Sequence, residues 1–110
     1  MPPNKPQWLD VVRHRIRGFR APYLLILQHH DIPASTRLAA PVTPSQAVDV
    51  AVLSPLLIVA GRQYRARLLD TAAVNAAVLG ESVESASDQS DAIMNALDII
   101  LHGYPVGLPC

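Results

Sequence analysis

The chain has 110 residues, half of them hydrophobic, with nine Lys and Arg balanced by nine Asp and Glu. That length suits one domain burying roughly two thirds of its unfolded surface, so residues 1–110 are read as a single unit with tails at 1–6 and 105–110. No run of about 18 apolar residues exists to cross a membrane, Met1-Pro2-Pro3-Asn4-Lys5-Pro6 lacks the apolar core of a signal peptide, and the lone Cys110 excludes an intrachain disulfide; a soluble, cytoplasmic protein is expected.

From the N-terminus, apolar or alternating runs separated by Pro, Gly, Asp and Ser predict short strands at 8–13, 23–29, 38–42, 48–53, 56–60, 63–69 and 73–79. Val48 to Leu53 and Thr71 to Ala77 are alanine-rich and fit short helical turns as well. Gly61-Arg62 reads as a two-residue hairpin loop of type II′, with glycine first to accept a positive φ. Pro41 and Pro55 are expected at edges or strand ends, because proline cannot donate to a ladder. No internal repeat or low-complexity tract is present.

Charge is distributed unevenly. All nine Lys and Arg lie at or before Arg67, whereas Asp70, Glu81, Glu84, Asp88, Asp91 and Asp98 follow with no cation among them. Arg13, His14, Arg15, Arg17 and Arg20 cluster between two apolar runs, on an expected hairpin loop. Such a loop can contact phosphate or an acidic protein, or be a solvated connection offset by the acidic end of the chain. Without interleaved aromatics it does not predict reading of single-stranded RNA, and no direct nucleic-acid binding is expected.

Chemistry-bearing clusters are sparse. His29-His30-Asp31 brings imidazole and carboxylate together, yet neighbours on a strand point to opposite faces, so these are read as surface residues at a strand end and no metal site is assigned. No Gly-rich phosphate loop, zinc-ligand spacing or nucleophile elbow occurs, so neither cofactor nor catalytic residue is expected.

The last quarter of the chain is the most specific. Ser82 to Asp88 supply small and acidic residues suited to a helix start, with Ser85 and Asp88 spaced as a capping box. Ala92, Ile93, Ala96, Leu97 and Ile100 then share a face, and Met94, Ile99 and Leu101 widen it beyond the roughly 100° a single buried stripe needs. His102 falls in the last turn, Gly103 suits the left-handed position that follows, and Pro105 blocks continuation. Many short strands and one terminal helix predict a mostly β fold, an antiparallel, partly closed barrel packed against that helix.

Gly80-Glu81, the serine-rich acidic segment after it, and Asn95-Ala96-Leu97-Asp98-Ile99-Ile100-Leu101-His102-Gly103 resemble the C-terminal end of the CcdB family, toxins of bacterial toxin–antitoxin pairs. Pro55-Leu56-Leu57-Ile58-Val59, Tyr64-Arg65, Leu69-Asp70-Thr71-Ala72 and Val78-Leu79-Gly80 follow the family pattern without a gap. Gln7 to Val11, Tyr23 to Gln28 and Leu38 to Val42 resemble its first three strands more loosely.

The resemblance implies an SH3-like, partly open barrel shared with MazF-type ribonucleases, and a homodimer. It further implies a non-catalytic poison that binds the A subunit of DNA gyrase, a topoisomerase, and traps the complex in which DNA is cut. A CcdA-like antitoxin with a segment that folds on the toxin would neutralise it, as in plasmid-maintenance modules. Family members contact gyrase through the end of the C-terminal helix, which closes with Trp-Gly and an aliphatic residue. The corresponding positions are His102, Gly103 and Tyr104, with Asp98 and Leu101 one turn earlier. The antitoxin surface is unassigned, with Arg13, Arg15 and Arg17 as candidates.

At the helix end the chain departs from the family pattern. Tryptophan offers a face that can stack on an arginine for about 1 kcal/mol or more when desolvated. His102 is smaller and, when protonated, repels that arginine, and the chain runs on through Pro105 to Cys110. Two alternatives follow: a diverged toxin of this fold with another target or no poisoning activity, and a MazF-like ribonuclease using the Arg13 to Arg20 loop.

Overall fold

In strand β1 (Asp10–His14), Val11 and Val12 are neighbours, so the two-residue period of a strand sends them to opposite faces. Both are fully buried, which requires the sheet to be covered on both sides. Val11 joins a large core that includes Leu9, Leu25, Val42, Leu57, Leu68 and Ile93, and Val12 joins a smaller one with Leu24, Ile26, Ala39 and Leu79. Strand β2 (Tyr23–Ile26) repeats the pattern, with all four residues buried. The computed structural model describes residues 7–15, 22–44 and 51–103.

Among the described residues, β3 (Thr36–Thr43), β4 (Leu56–Val59), β5 (Arg62–Ala66), β6 (Ala72–Asn75) and β7 (Leu79–Ser85) complete the sheet. Every pairing is antiparallel, in the order β4-β5-β3-β2-β1-β7, with β6 laid along the first half of β3. The terminal strands β4 and β7 line one common cleft, so the sheet curls into a half barrel whose two edges face each other across a seam. Helix α1 (Ser90–His102) covers the larger core through buried Ile93 and Ala96, with Leu97, Ile99 and Ile100 packed against it. The mostly β class, the curled sheet and the terminal helix match the expectation.

Several local expectations are corrected. The hairpin between β4 and β5 turns on Ala60-Gly61 rather than Gly61-Arg62, because Val59 pairs with Arg62. Both loop residues have positive φ, 52° and 79°, the signature of a type I′ turn rather than II′. Pro41 lies inside β3, where that strand changes partners: β6 covers Thr36 to Ala39 and β5 covers Val42 and Thr43. Its missing N–H falls at this gap, and its carbonyl accepts from the Arg67 N–H at 2.9 Å. Pro55 does sit at a strand end, its carbonyl accepting from Ala66 at 3.0 Å.

The alanine-rich pieces resolve toward helical turns in part. Ala51–Leu53 and Ala76–Val78 are 3-10 turns, while Ala72–Asn75 is strand β6; residues 48–50 lie outside the described residues. The largest correction concerns Ser82 to Ser85, expected as a helix start and found as the second half of β7. Their mainly polar side chains suit a strand with one solvated face, and the helix begins only after a 3-10 turn at Ser87–Gln89. The capping box does not form: the Ser85 hydroxyl accepts from the Ser87 N–H at 3.3 Å, and no side chain caps α1.

Gly80 allows β7 to approach β1. A Cβ there would stand 2.9 Å from the Arg13 carbonyl oxygen and 3.1 Å from the Arg13 Cβ. Beside it the β1–β7 register slips between Val12 and His14, a bulge that a glycine accommodates.

Candidate functional site

The end of α1 is built by contrast with its start. Ile93 and Ala96 are inaccessible, whereas Leu101 is 73% exposed and Met94 44%. Positions 94, 98 and 101 follow the i, i+4, i+7 spacing of one helical stripe, so Met94, half-buried Asp98 and Leu101 share the side turned from the core. Ala92, expected on the buried face, is exposed. Asp91 lies in the first turn, the helix end that favours negative charge, and His102 in the last.

Gly103 terminates the helix as expected. Its φ is 86°, and its N–H donates to the Ile99 carbonyl at 2.7 Å, which satisfies one of the last orphan carbonyls. Thus Leu101, His102 and Gly103 are exposed together at the end of the helix, a knob with half-buried Asp98 one turn before it. Tyr104 lies outside the described residues.

The basic cluster is only partly a loop. Arg13 and His14 belong to β1, Arg15 follows it, and Arg17 and Arg20 lie outside the described residues. The Arg13 Nε is 3.0 Å from the Glu81 carboxylate, and its guanidinium lies 5.7 Å from the Tyr23 ring centre. The basic front and acidic back are therefore joined at β1 and β7. Both partners are more than half exposed, where such a bridge contributes about 0–1 kcal/mol.

His29 and His30 do not diverge as strand neighbours would, because β2 stops at Ile26. Their rings stack with centres 4.1 Å apart, and Asp31 lies 3.7 and 3.9 Å from one nitrogen of each. The Nδ1 of His30 accepts from the Trp8 N–H at 3.3 Å, and that of His29 accepts from the Asp31 N–H at 3.2 Å. The ligand atoms of His29, His30 and Asp31 all lie within 4.8 Å of one another, so the bend after β2 brings together the three groups that strand geometry would have kept apart. The pair ties a loop to the segment before β1.

Within the larger core, Tyr64 meets Tyr23 edge to face with ring centres 5.2 Å apart, and both are buried. Burial, and then the neighbouring Tyr23, raise the Tyr64 pKa above its ordinary value of 10. This pair supports the core and takes no part in the exposed knob.

A second feature was not visible in the sequence. A cleft of about 290 Å³ opens at the seam of the half barrel, lined by Leu56, Leu57 and Ile58 of β4, Glu84 and Ser85 of β7, and Asp88 before α1, among others. The one available signal was the polar run Glu81-Ser82-Val83-Glu84-Ser85, whose lone valine is the mark of an edge strand.

Against known proteins, the family of the CcdB protein matches residues 10–103, which span the whole sheet and the exposed helix end. The chain belongs to the CcdB family. No match is found among curated proteins. Family membership supports a non-catalytic toxin of a toxin–antitoxin pair, with gyrase and antitoxin as the family's partners in general terms. Among the described residues, no helix is long and apolar enough to cross a membrane.

Proposed function

We propose that this chain is the toxin of a type II toxin–antitoxin module that, as a cytoplasmic homodimer, binds the A subunit of DNA gyrase and traps the cut-DNA complex. The observation that carries this reading is the knob at the end of α1. Leu101 is 73% exposed, on a helix whose core side is held by Ile93 and Ala96. A large apolar side chain kept in water by a rigid element is a surface suited to a partner. Asp98 and His102 flank it with polar groups that orient a docked protein, and Met94 extends the apolar stripe toward a second copy.

Poisoning by binding asks for no group that moves protons or electrons, in keeping with the sparse chemistry of the sequence. The cognate antitoxin is the neutralising partner. The test is DNA cleavage by purified host gyrase with ATP and supercoiled plasmid. Wild type is expected to accumulate linear DNA, and Leu101→Glu and His102→Ala to lose it while remaining folded and dimeric. Unchanged cleavage in both variants would overturn the assignment to the helix end.

One observation favours the second reading, a diverged toxin with another target. His102 stands where the family pattern has tryptophan, and an imidazole offers less stacking area to an arginine. Absence of cleavage by wild-type protein that still binds its antitoxin would select this reading.

A further inference from the structure

The seam between β4 and β7 is a second surface with a different chemistry. Three consecutive residues of β4, Leu56, Leu57 and Ile58, line the cleft. Successive side chains alternate between faces, so the edge of the strand, with its backbone groups, must be turned toward the opening. The register says which groups these are. In a two-residue hairpin the flanking residues Val59 and Arg62 exchange hydrogen bonds, and Ala66 donates to Pro55. Alternation then commits the odd-numbered residues of β4 to β5 and aims the N–H and C=O of Leu56 and Ile58 at the cleft.

On the far side, β7 is the last strand of the sheet, with β1 as its strand neighbour. Two edges that pair with no further strand among the described residues thus face each other over a floor of buried Val11, Leu57 and Ala86. Leu56 and Ile58 are 36% and 51% exposed. Glu84 at the end of β7 and Asp88 in the turn after it stand exposed at the rim, and neither forms an ion pair among the described residues.

We infer that this seam takes up an extended strand from another polypeptide, one alternating apolar and cationic side chains, which hydrogen-bonds to the outer edge of β4 and closes the half barrel. Edge pairing supplies general affinity, the apolar floor receives one side of the strand, and Glu84 and Asp88 select for Lys or Arg beside them. The edge strands described in this chain do not supply that pattern to a second copy. Its own edge strands read Leu-Leu-Ile-Val, Ala-Ala-Val-Asn and Leu-Gly-Glu-Ser-Val-Glu-Ser, with no cation among them.

The seam lies at the start of α1, and the gyrase-facing knob at its end, about 20 Å away at 1.5 Å per residue. The inference therefore goes beyond the proposed function and does not depend on gyrase.

Hydrogen exchange on the full chain, read at single amides, provides the test. The probe is a blocked hexapeptide alternating Lys and Val, with a Glu and Val hexapeptide as control. Saturable binding of the Lys peptide is expected, with the Leu56 and Ile58 amides slowed on binding and no such effect from the Glu peptide. Combining Glu84→Lys with Asp88→Lys, both at exposed positions, is expected to weaken binding about tenfold, roughly 1.4 kcal/mol, while gyrase cleavage by the same variant stays as in wild type.

Three results would each overturn the inference: no binding of the Lys peptide, equal binding of both peptides, or Leu56 and Ile58 amides unchanged at saturation. Protection of those amides without peptide, lost on dilution, would instead assign the seam to self-association and overturn it as well. A cleavage assay negative for wild type alongside peptide-protected amides would remove the gyrase reading and leave the seam intact.

Discussion

The two ends of helix α1 differ in what holds them. The first half follows the turn after β7 and buries Ile93 and Ala96 completely in the larger core, whereas the end is held by partly buried Ile99 and Ile100 and the Gly103 cap and presents Leu101 to water. The fully buried contacts are concentrated in the first part, and the last turn carries the exposed apolar side chain. Truncations at the two ends are therefore expected to have opposite consequences. Ile93→Ala leaves a cavity under the helix and is expected to cost about 3–4 kcal/mol, enough to lower the denaturation midpoint sharply. Leu101→Ala is expected to stay within about 0.5 kcal/mol of wild type in chemical denaturation and yet to weaken gyrase poisoning. Equal destabilisation by the two would break the comparison.

The strand that delivers the anchored end sets the next effect. A Cβ at position 80 meets the Arg13 backbone at 2.9 Å, and backbone cannot swing aside as a side-chain tip can. Gly80→Ala is expected to cost about 1–3 kcal/mol, measurable as a lower melting temperature. An unchanged melting temperature would mean that the β1–β7 bulge yields freely.

The larger core also has a pH signature. Burial and Tyr23 raise the Tyr64 pKa in the folded state, so the folded chain keeps a proton that the unfolded chain releases. The associated stability is fully present below the unfolded value near 10 and is lost as pH rises through the higher folded value. Denaturation midpoints are expected to fall above about pH 10, and Tyr64→Phe is expected to flatten that fall. A slope that Tyr64→Phe leaves untouched would separate this tyrosine from the alkaline transition.

How much of this was legible follows from where each signal resides. The helix end could be read directly, because the apolar spacing, the terminal glycine and the following proline are local. The runs at 8–13 and 23–29 were legible as strands, but that Val11/Val12 and Leu24/Leu25 are covered on both faces emerged only from the structure. The start of the helix misled, since serines and acids suit a helix N-terminus as well as a solvated strand, and only the distant pairing of β7 with β1 decides between them. Pro41 shows the same limit: its place inside β3 is permitted by a change of partner on one side of that strand, which no local pattern reveals. The seam was hidden for a related reason. It exists because the first and last strands of the sheet order, β4 and β7, curl toward each other, a property of topology. The stacking of His29 on His30 depended on β2 ending three residues sooner than its apolar run suggested.

The smallest expected effect sharpens the comparison most, because it separates charge from packing on the anchored side. Arg13 touches Glu81 and the Tyr23 ring at an exposed position. Such contacts contribute about 0–1 kcal/mol apiece and are screened by salt, strongly for the ion pair. Arg13→Ala is expected to lower stability by less than about 1 kcal/mol at low salt, with the difference shrinking as ionic strength rises. Arg13 is also a candidate for contacting the antitoxin, and Glu81→Gln divides its two roles by freeing the guanidinium without removing it. If Arg13 serves only the fold, both variants lose the same small stability and bind antitoxin as wild type does. If it serves the antitoxin, Arg13→Ala weakens that binding while Glu81→Gln preserves or strengthens it. Titrations of purified toxin with antitoxin at two salt concentrations distinguish the outcomes, and with them whether the basic front of the chain acts inside the molecule or beyond it.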